Sequence, residues 1–442
     1  MTVVAPDLDA ALARASAAIG EAPLREALSL LMSRPSPPGG ERPLAEDVAA
    51  WGRRAHPEIA WEVDALDDRS ANVVGRSIHG ASDRELVGAS DRELVLYGHL
   101  DTSLTGDVSR DRAITGESDA PAPFRYDPAA RAFRGLGVGV AKAPSAGAIV
   151  GFTAAAAALR ELALPHRLTL LLAAGGTHRA APRDGTGVPA RFGRGVTHAL
   201  ARGWRPSAVL NVKAGPRGVL HEEPAAAYLR VRLRAAWSAA LARRTAAPDG
   251  GLARHAGAVL DAIESWRDAY LRDHGAAGQL ASEIAIGAIR GGAPDKPDLL
   301  PGLLEVFVYA VLLPDEDPER VARDLASHLR PRLASIAGRP SVEVDVYAYG
   351  PGGRTDPSSE IVRLARDAWA AQIPEVPVKG WTGATDGGIF QAAGIPTVRL
   401  GVTVSRDAAD PRIEIVPLDE LLAATRAYAE IALRYLTAPS AA

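Results

Sequence analysis

Residues Ser145 to Ala174, SAGAIVGFTAAAAALRELALPHRLTLLLAA, decide the fold class. Ser145 to Leu162 reads as a helix of small residues. Arg167 to Ala174 is a near-continuous apolar run of strand length, the pattern of a strand covered on both faces. Working outward, the runs IAWEVDAL (Ile59 to Leu66), NVVGRSI (Asn72 to Ile78) and ELVLYGHL (Glu93 to Leu100) precede it, and SAVLNVK (Ser207 to Lys213) follows. Apolar strands alternating with helices predict an α/β unit with a mostly parallel sheet flanked by helices.

Upstream, residues 8 to 56 carry helical spacing broken by Pro35-Ser36-Pro37-Pro38-Gly39-Gly40, which predicts two helices joined by a tight loop. The octapeptide GASDRELV stands twice in tandem, Gly80 to Val87 and Gly88 to Val95. It is too short for a solenoid unit and reads as a duplication lengthening a hairpin loop. From about residue 215 the pattern changes. The strand AAYLRVRLRAA, the helix HAGAVLDAIESWRDAYL, the strands EIAIGAIRGG and LLEVFVYAVLL, the helix DPERVARDLASHLRPRL and the strand SVEVDVYAY give the β-α-β-β-α-β order of a ferredoxin-like α+β unit. The α/β pattern then resumes, so the expectation is a discontinuous α/β domain over 1–214 and 347–442, interrupted by an inserted domain over 215–346.

Composition narrows the function classes. The 442 residues are about three times the ~150-residue domain prior. A hydrophobic share of 47% and a charged share of 23% describe a globular chain. A net charge of -3 without a basic run disfavours nucleic acid and anionic lipid as partners. Zero cysteines exclude disulfides, thiolate metal sites and thiol nucleophiles. No secretory leader pattern and no apolar run near the ~18 residues of a membrane span stand out, so a soluble, cytoplasmic protein is expected. Arginine outnumbers lysine 46 to 4. The four lysines, Lys142, Lys213, Lys296 and Lys379, therefore become candidates for positions where a guanidinium cannot serve.

Several motifs then fall in one order: YGHLDT (Tyr97 to Thr102), RGLGVGVAK (Arg134 to Lys142), IRGG (Ile289 to Gly292), LLPDEDPE (Leu312 to Glu319), GATDGGIF followed by GIPTVRLG, and IVPLDEL (Ile415 to Leu421). This order and spacing resembles the two-zinc exopeptidases and amidohydrolases typified by acetylornithine deacetylase, succinyl-diaminopimelate desuccinylase and aminoacylase, over roughly residues 20 to 438. The resemblance implies a catalytic domain, an inserted lid or dimerisation domain, and a site between them acting on acylated amino acids or short peptides. It also implies a bridged metal pair that activates water, with a carboxylate to move the proton.

Carried over residue by residue, His99 matches the first metal ligand and Asp101 the carboxylate that orients it. The bridging aspartate position holds Val140, the Glu-Glu pair is Gly175-Gly176, the next carboxylate is Lys213, and the late histidine is Asp410. The lid arginine and histidine appear as Val311 and Leu241. The resemblance thus points to a divergent member that has lost its dinuclear site and needs no cofactor. Its candidate catalytic residues are His99, Asp101, Lys213, Lys142, Asp386 and His178, and its candidate substrate-binding residues are Asp410, Arg290, Lys379 and Thr385. Lys213 is expected to stand where a zinc stood, neutralising Asp101 and Asp410.

Three functions compete. The first is a metal-independent enzyme acting on an amide, ester or acylated amino-acid-like substrate, with His99 and Asp101 as a base pair. The second is a non-catalytic protein that binds a ligand or a partner. The third is a hydrolase with a rebuilt mononuclear site of His99 with Asp101, Asp386, Asp410 or His178. GLGVGV lacks the full spacing of a dinucleotide-binding loop. A homodimer is expected through the inserted domain, with AAYLRVRLRAA pairing edge to edge or burying an outer face.

Overall fold

The computed structural model describes residues 7–79, 92–163, 165–182, 188–239, 251–336 and 338–438. Six strands form the first sheet: β1 (Ala60–Ala65), β2 (Ala71–His79), β3 (Glu93–His99), β4 (His166–Ala173), β5 (Ala208–Val212) and, late in the chain, β10 (Thr397–Leu400). Their order is β1-β2-β4-β3-β5-β10. The four strands from β4 to β10 are mutually parallel, and β1 and β2 add an antiparallel edge. The fold class is therefore α/β as expected, with a mixed sheet. The covered parallel strands account for the unbroken apolar runs.

Helix Ala143–Glu161 crosses one face of this sheet and packs on the C-terminal helix Leu418–Thr437. Its small residues are what allow that approach. A Cβ at Gly147 would lie 2.8 Å from Thr425 Oγ1, and one at Gly151 would lie 3.1 Å from the Thr425 carbonyl. The stretch Val138–Glu161 is long and apolar enough to cross a membrane, yet 89% of its apolar window is buried inside the fold. Val196, Leu200 and Phe390, from helices Arg194–Ala201 and Gly387–Ala392, cover the opposite face.

The second sheet contains β6 (Ala225–Arg234), β7 (Glu283–Gly291), β8 (Leu303–Leu312) and β9 (Ser341–Gly350) in the order β7-β8-β6-β9, with Ala190–Arg191 pairing in parallel beside β9. Helices Ala256–His274 and Pro318–Leu333 bury its aliphatic face around Leu229, Val231, Val306 and Leu325. Where the chain passes between the two sheets, Glu222–Glu223 and Gly353–Arg354 pair antiparallel, so the outgoing and returning segments run side by side.

Three expectations are corrected. The N-terminal region forms three helices, Leu8–Ala18, Glu21–Leu31 and Arg42–Ala55, because Ile19 and Gly20 turn extended between the first two. The segment between β2 and β3 is not a hairpin, since β4 lies between those strands. The duplicated octapeptide itself falls largely outside the described residues, as does Leu241. Lastly, AAYLRVRLRAA cannot pair edge to edge, because β6 is bonded on both sides, by β8 and by β9. The strand at that end of the sheet is β7, whose residues are mostly exposed.

Candidate functional site

A cleft of about 610 Å³ opens between the two sheets. Val140, Gly176, His178 and Lys213 form its floor, while Tyr228, Phe307, Tyr309 and Tyr347 from the second sheet form its wall. Parallel strands place the floor: β3 ends at His99, β4 at Ala173 and β5 at Val212, so the segments after their C-terminal ends converge.

His99 and Asp101 pair below the floor. Both are fully buried, with His99 Nδ1 3.1 Å from Asp101 Oδ1. Asp101 also accepts from the Gly176 amide at 2.7 Å, the Thr177 amide at 2.8 Å and the Thr177 hydroxyl. Burial opposes the Asp101 charge, yet His99 and these donors hold its carboxyl well below the usual range. Burial, followed by the charge of Lys213, depresses the His99 pKa. The imidazole is therefore neutral, with its proton on Nδ1 facing Asp101. Its Nε2 is buried without a partner. A Cβ on Gly176 would sit 2.5 Å from the His99 ring, so glycine at this position is what lets the loop close over the histidine.

Lys213 lies at the end of β5, 6% exposed, and its ammonium donates to the Gly176 carbonyl at 3.4 Å. Burial lowers its pKa. Asp386, Asp101 and Glu223 act against that lowering, and Arg399 adds to it. Asp386 accepts from the Tyr97 hydroxyl and keeps Oδ1 buried and unpartnered. Burial pushes its carboxyl up to about 7, with Lys213 pulling the other way. Thr385 accepts from Asn211 at 2.8 Å, and Asn211 also donates to Glu223 at 2.9 Å. The structure thus gathers His99, Asp101, Lys213, Thr385 and Asp386 around one buried polar cluster. Tyr97, Glu223 and Arg399 belong to it too and were missed, although Tyr97 and Arg399 stand inside the YGHLDT and GIPTVRLG motifs.

The other candidates lie elsewhere or play different parts. Lys142 is fully buried and donates to the Leu100 carbonyl and Ser36 Oγ, each at 2.5 Å, without reaching the cleft. Burial brings its pKa down to about 7. His178 lines the cleft with its ring stacked on Phe192 at 4.2 Å, and burial holds it at about 3, a neutral plane rather than a base. Asp410 does not meet Lys213. It accepts from its near neighbour Arg412 at 2.8 Å, and the charge that faces Lys213 in its place is Asp386. Arg290 pairs with Glu305 at 3.1 Å on β7, outside the cleft lining. Lys379 is exposed, as is Lys296, which pairs with Asp298.

The donor chemistry does not fit a bridged metal pair. Among the described residues no group of three or more His, Asp or Glu side chains is arranged to hold a metal ion. Asp101 spends its oxygens on backbone and hydroxyl donors, and a lysine ammonium and a valine offer no ligand. For the mononuclear arrangement, too, no three of the named ligands are gathered among the described residues, and Asp410 is held by Arg412.

No family model matches the chain, and no curated protein matches it. Solved structures do. Aminopeptidase PepT from Bacillus cereus is similar over 95% of this chain and 99% of its own, with 16% identity and a TM-score of 0.62. The dipeptidase Dug1p from Saccharomyces cerevisiae is similar over 99% and 100%, with 12% identity and a TM-score of 0.63. Human carnosine dipeptidase 1 is similar over 97% and 99%, with 11% identity and a TM-score of 0.62. Further neighbours include a metallo-carboxypeptidase and a dinuclear metal-binding peptidase of the M20 family. Matched over nearly its whole length by these structures, the chain has the fold of the M20 metallopeptidases and amidohydrolases.

Proposed function

We propose that this protein binds a small amino-acid- or peptide-like carboxylate in the cleft, with the Lys213 ammonium as its charge partner in place of a metal pair. The observation that carries this reading is the position of Lys213: a lysine that is almost fully buried yet lines the cleft beside an aromatic wall. A buried ammonium that meets a ligand carboxylate gains a charge-assisted bond in a low-dielectric setting. His99 lies under Gly176 and does not line the cleft, so it acts through the loop above it. The units over 1–214 with 347–442 and over 215–346 work as floor and lid, in a soluble cytoplasmic protein. Exposed β7 supplies the edge for a homodimer, and sedimentation of a monomer at micromolar concentration overturns that part.

Calorimetry with N-acetyl amino acids against their amides tests the reading. Free carboxylates should bind at least tenfold more tightly, with or without chelator; equal binding of acids and amides overturns it. A second reading, metal-independent cleavage of an amide or ester, is favoured by the position of Lys213 in the cleft lining, where burial lowers its pKa and so favours the free amine that can take a proton. Turnover of N-acyl amino acid esters in excess chelator, abolished in Lys213→Met, would establish it. Absence of turnover leaves the protein a binder.

A further inference from the structure

The face of the second sheet that carries no helices is divided in two. Beyond the cleft it bears the charged residues Arg230, Arg232, Glu305 and Asp345, joined by ion pairs. Over the cleft it bears Tyr228, Phe307, Tyr309 and Tyr347. Tyr228 stands directly opposite Tyr309 on the neighbouring strand, with ring centroids 5.7 Å apart. Tyr347 lies 5.5 Å from Tyr228 and 6.0 Å from Phe307. The main core of this sheet lies on the opposite face and is mainly aliphatic, while Tyr228, Tyr309 and Tyr347 pack, still partly buried, on the small cluster of Phe192, Ala226 and Ala348. The whole chain has only six Phe and nine Tyr, so four on one patch facing one cleft mark a surface built for contact. All four remain partly exposed.

The rings are also fixed in place. Tyr228 donates its hydroxyl to the His178 carbonyl at 2.7 Å, and the Tyr309 hydroxyl lies 3.5 Å from His178 Nδ1. These contacts tie the wall to the loop that covers His99, next to Lys213. His178, stacked on Phe192, adds an uncharged aromatic plane to the same lining. A ligand that enters meets the buried Lys213 at the floor, the exposed Arg179 elsewhere in the lining, and π surfaces along the wall, which favour an aromatic ring by offset or edge contacts.

We propose that the cleft selects amino-acid-type carboxylates that carry an aromatic group, such as N-aroyl amino acids, with the carboxylate at Lys213 and the ring against Phe307, Tyr309 and His178. This rests on the carboxylate reading above and adds the specificity of the same site.

The test is calorimetric titration of the full chain with matched ligands: N-benzoylglycine, N-acetylglycine and N-benzoylglycinamide, and the same trio built on alanine. The benzoyl acid should bind about tenfold or more tightly than the acetyl acid, the scale of one good aromatic contact plus burial. Phe307→Leu should cut that ratio below threefold, chiefly through loss of benzoyl-acid affinity. Tyr347→Leu, with circular dichroism on both variants, guards against a folding defect. Equal binding of benzoyl and acetyl acids by the unaltered protein overturns the aromatic selection and leaves the carboxylate reading standing. If the benzoyl amide binds as well as the benzoyl acid, the carboxylate assignment falls and the proposal with it. No binding by any member at millimolar concentration overturns both.

Discussion

Lys213 donates to the carbonyl of Gly176 at 3.4 Å, and the amide of the same Gly176 donates to Asp101 at 2.7 Å. Two positions at which the family resemblance calls for carboxylates thus face each other as an ammonium and a peptide group. The ammonium stands within electrostatic reach of Asp101, Asp386 and Glu223, so positive charge at this floor comes from the chain itself. Gly176 cannot be turned back into a glutamate by one substitution, because its Cβ would strike the His99 ring.

Replacing Lys213 by Met should therefore separate function from stability. Its lowered pKa says that the fold disfavours the charge, and Asp386, already pushed to about 7, can take up a proton when the ammonium is gone. The thermal midpoint should stay level or rise, as when a buried ion is exchanged for an apolar residue of similar length. Ligand affinity should fall by more than about tenfold, or about 1.4 kcal/mol. A lower midpoint with unchanged affinity would make Lys213 a structural ion only.

The two sheets were legible in the sequence because local patterns carry them: unbroken apolar runs for β3, β4 and β5, and the β-α-β-β-α-β order of the inserted unit. Which strand is an edge was not legible, because pairing of β6 with both β8 and β9 depends on residues far away in sequence. The scarcity of lysine pointed correctly to two buried positions, Lys142 and Lys213, but also to Lys296 and Lys379, which are exposed; residue frequency carries no information on burial. Asp410 misled for a related reason. Its position matched a site residue, yet Arg412 two residues on satisfies it locally. The aromatic wall left no contiguous trace at all, since its residues come from three separate strands.

Asp101 should prove more costly to remove than any other residue of the cluster. Asp101→Ala strands the Gly176 and Thr177 amides and the His99 Nδ1–H without an acceptor in a buried setting. The expected loss is about 3–5 kcal/mol by urea unfolding. A loss under about 1 kcal/mol would mean that water enters and replaces the carboxylate.

Metal content provides a further check on the donor argument. Purified protein should hold less than about 0.1 equivalent of zinc, cobalt or manganese by elemental analysis, because the floor offers an ammonium and a valine, and Asp101 beneath it is already filled with donors. Added zinc should not move the thermal midpoint. About two equivalents per chain, lost to chelator together with a drop in midpoint, would contradict this.

Asp386 should make the fold pH-sensitive. Its carboxyl is raised from an ordinary 3.8 to about 7 in the folded protein, chiefly by burial. Between those values the native state keeps a proton that the unfolded chain has lost, so this group's stabilising share is complete below about pH 3.8 and disappears as pH climbs through 7. His178, held at about 3, works in the opposite direction over its own window from 3 to 6.5, so the total curve mixes both. The comparison that isolates Asp386 is with Asp386→Asn, whose amide can still accept from the Tyr97 hydroxyl but never ionises. The midpoint of the variant minus that of the unaltered protein should become more positive from pH 4.5 to pH 7.5, and level off above it. A difference that stays constant across this range would show that Asp386 ionises alike in the folded and unfolded chain, and that the cluster around Lys213 is open to water.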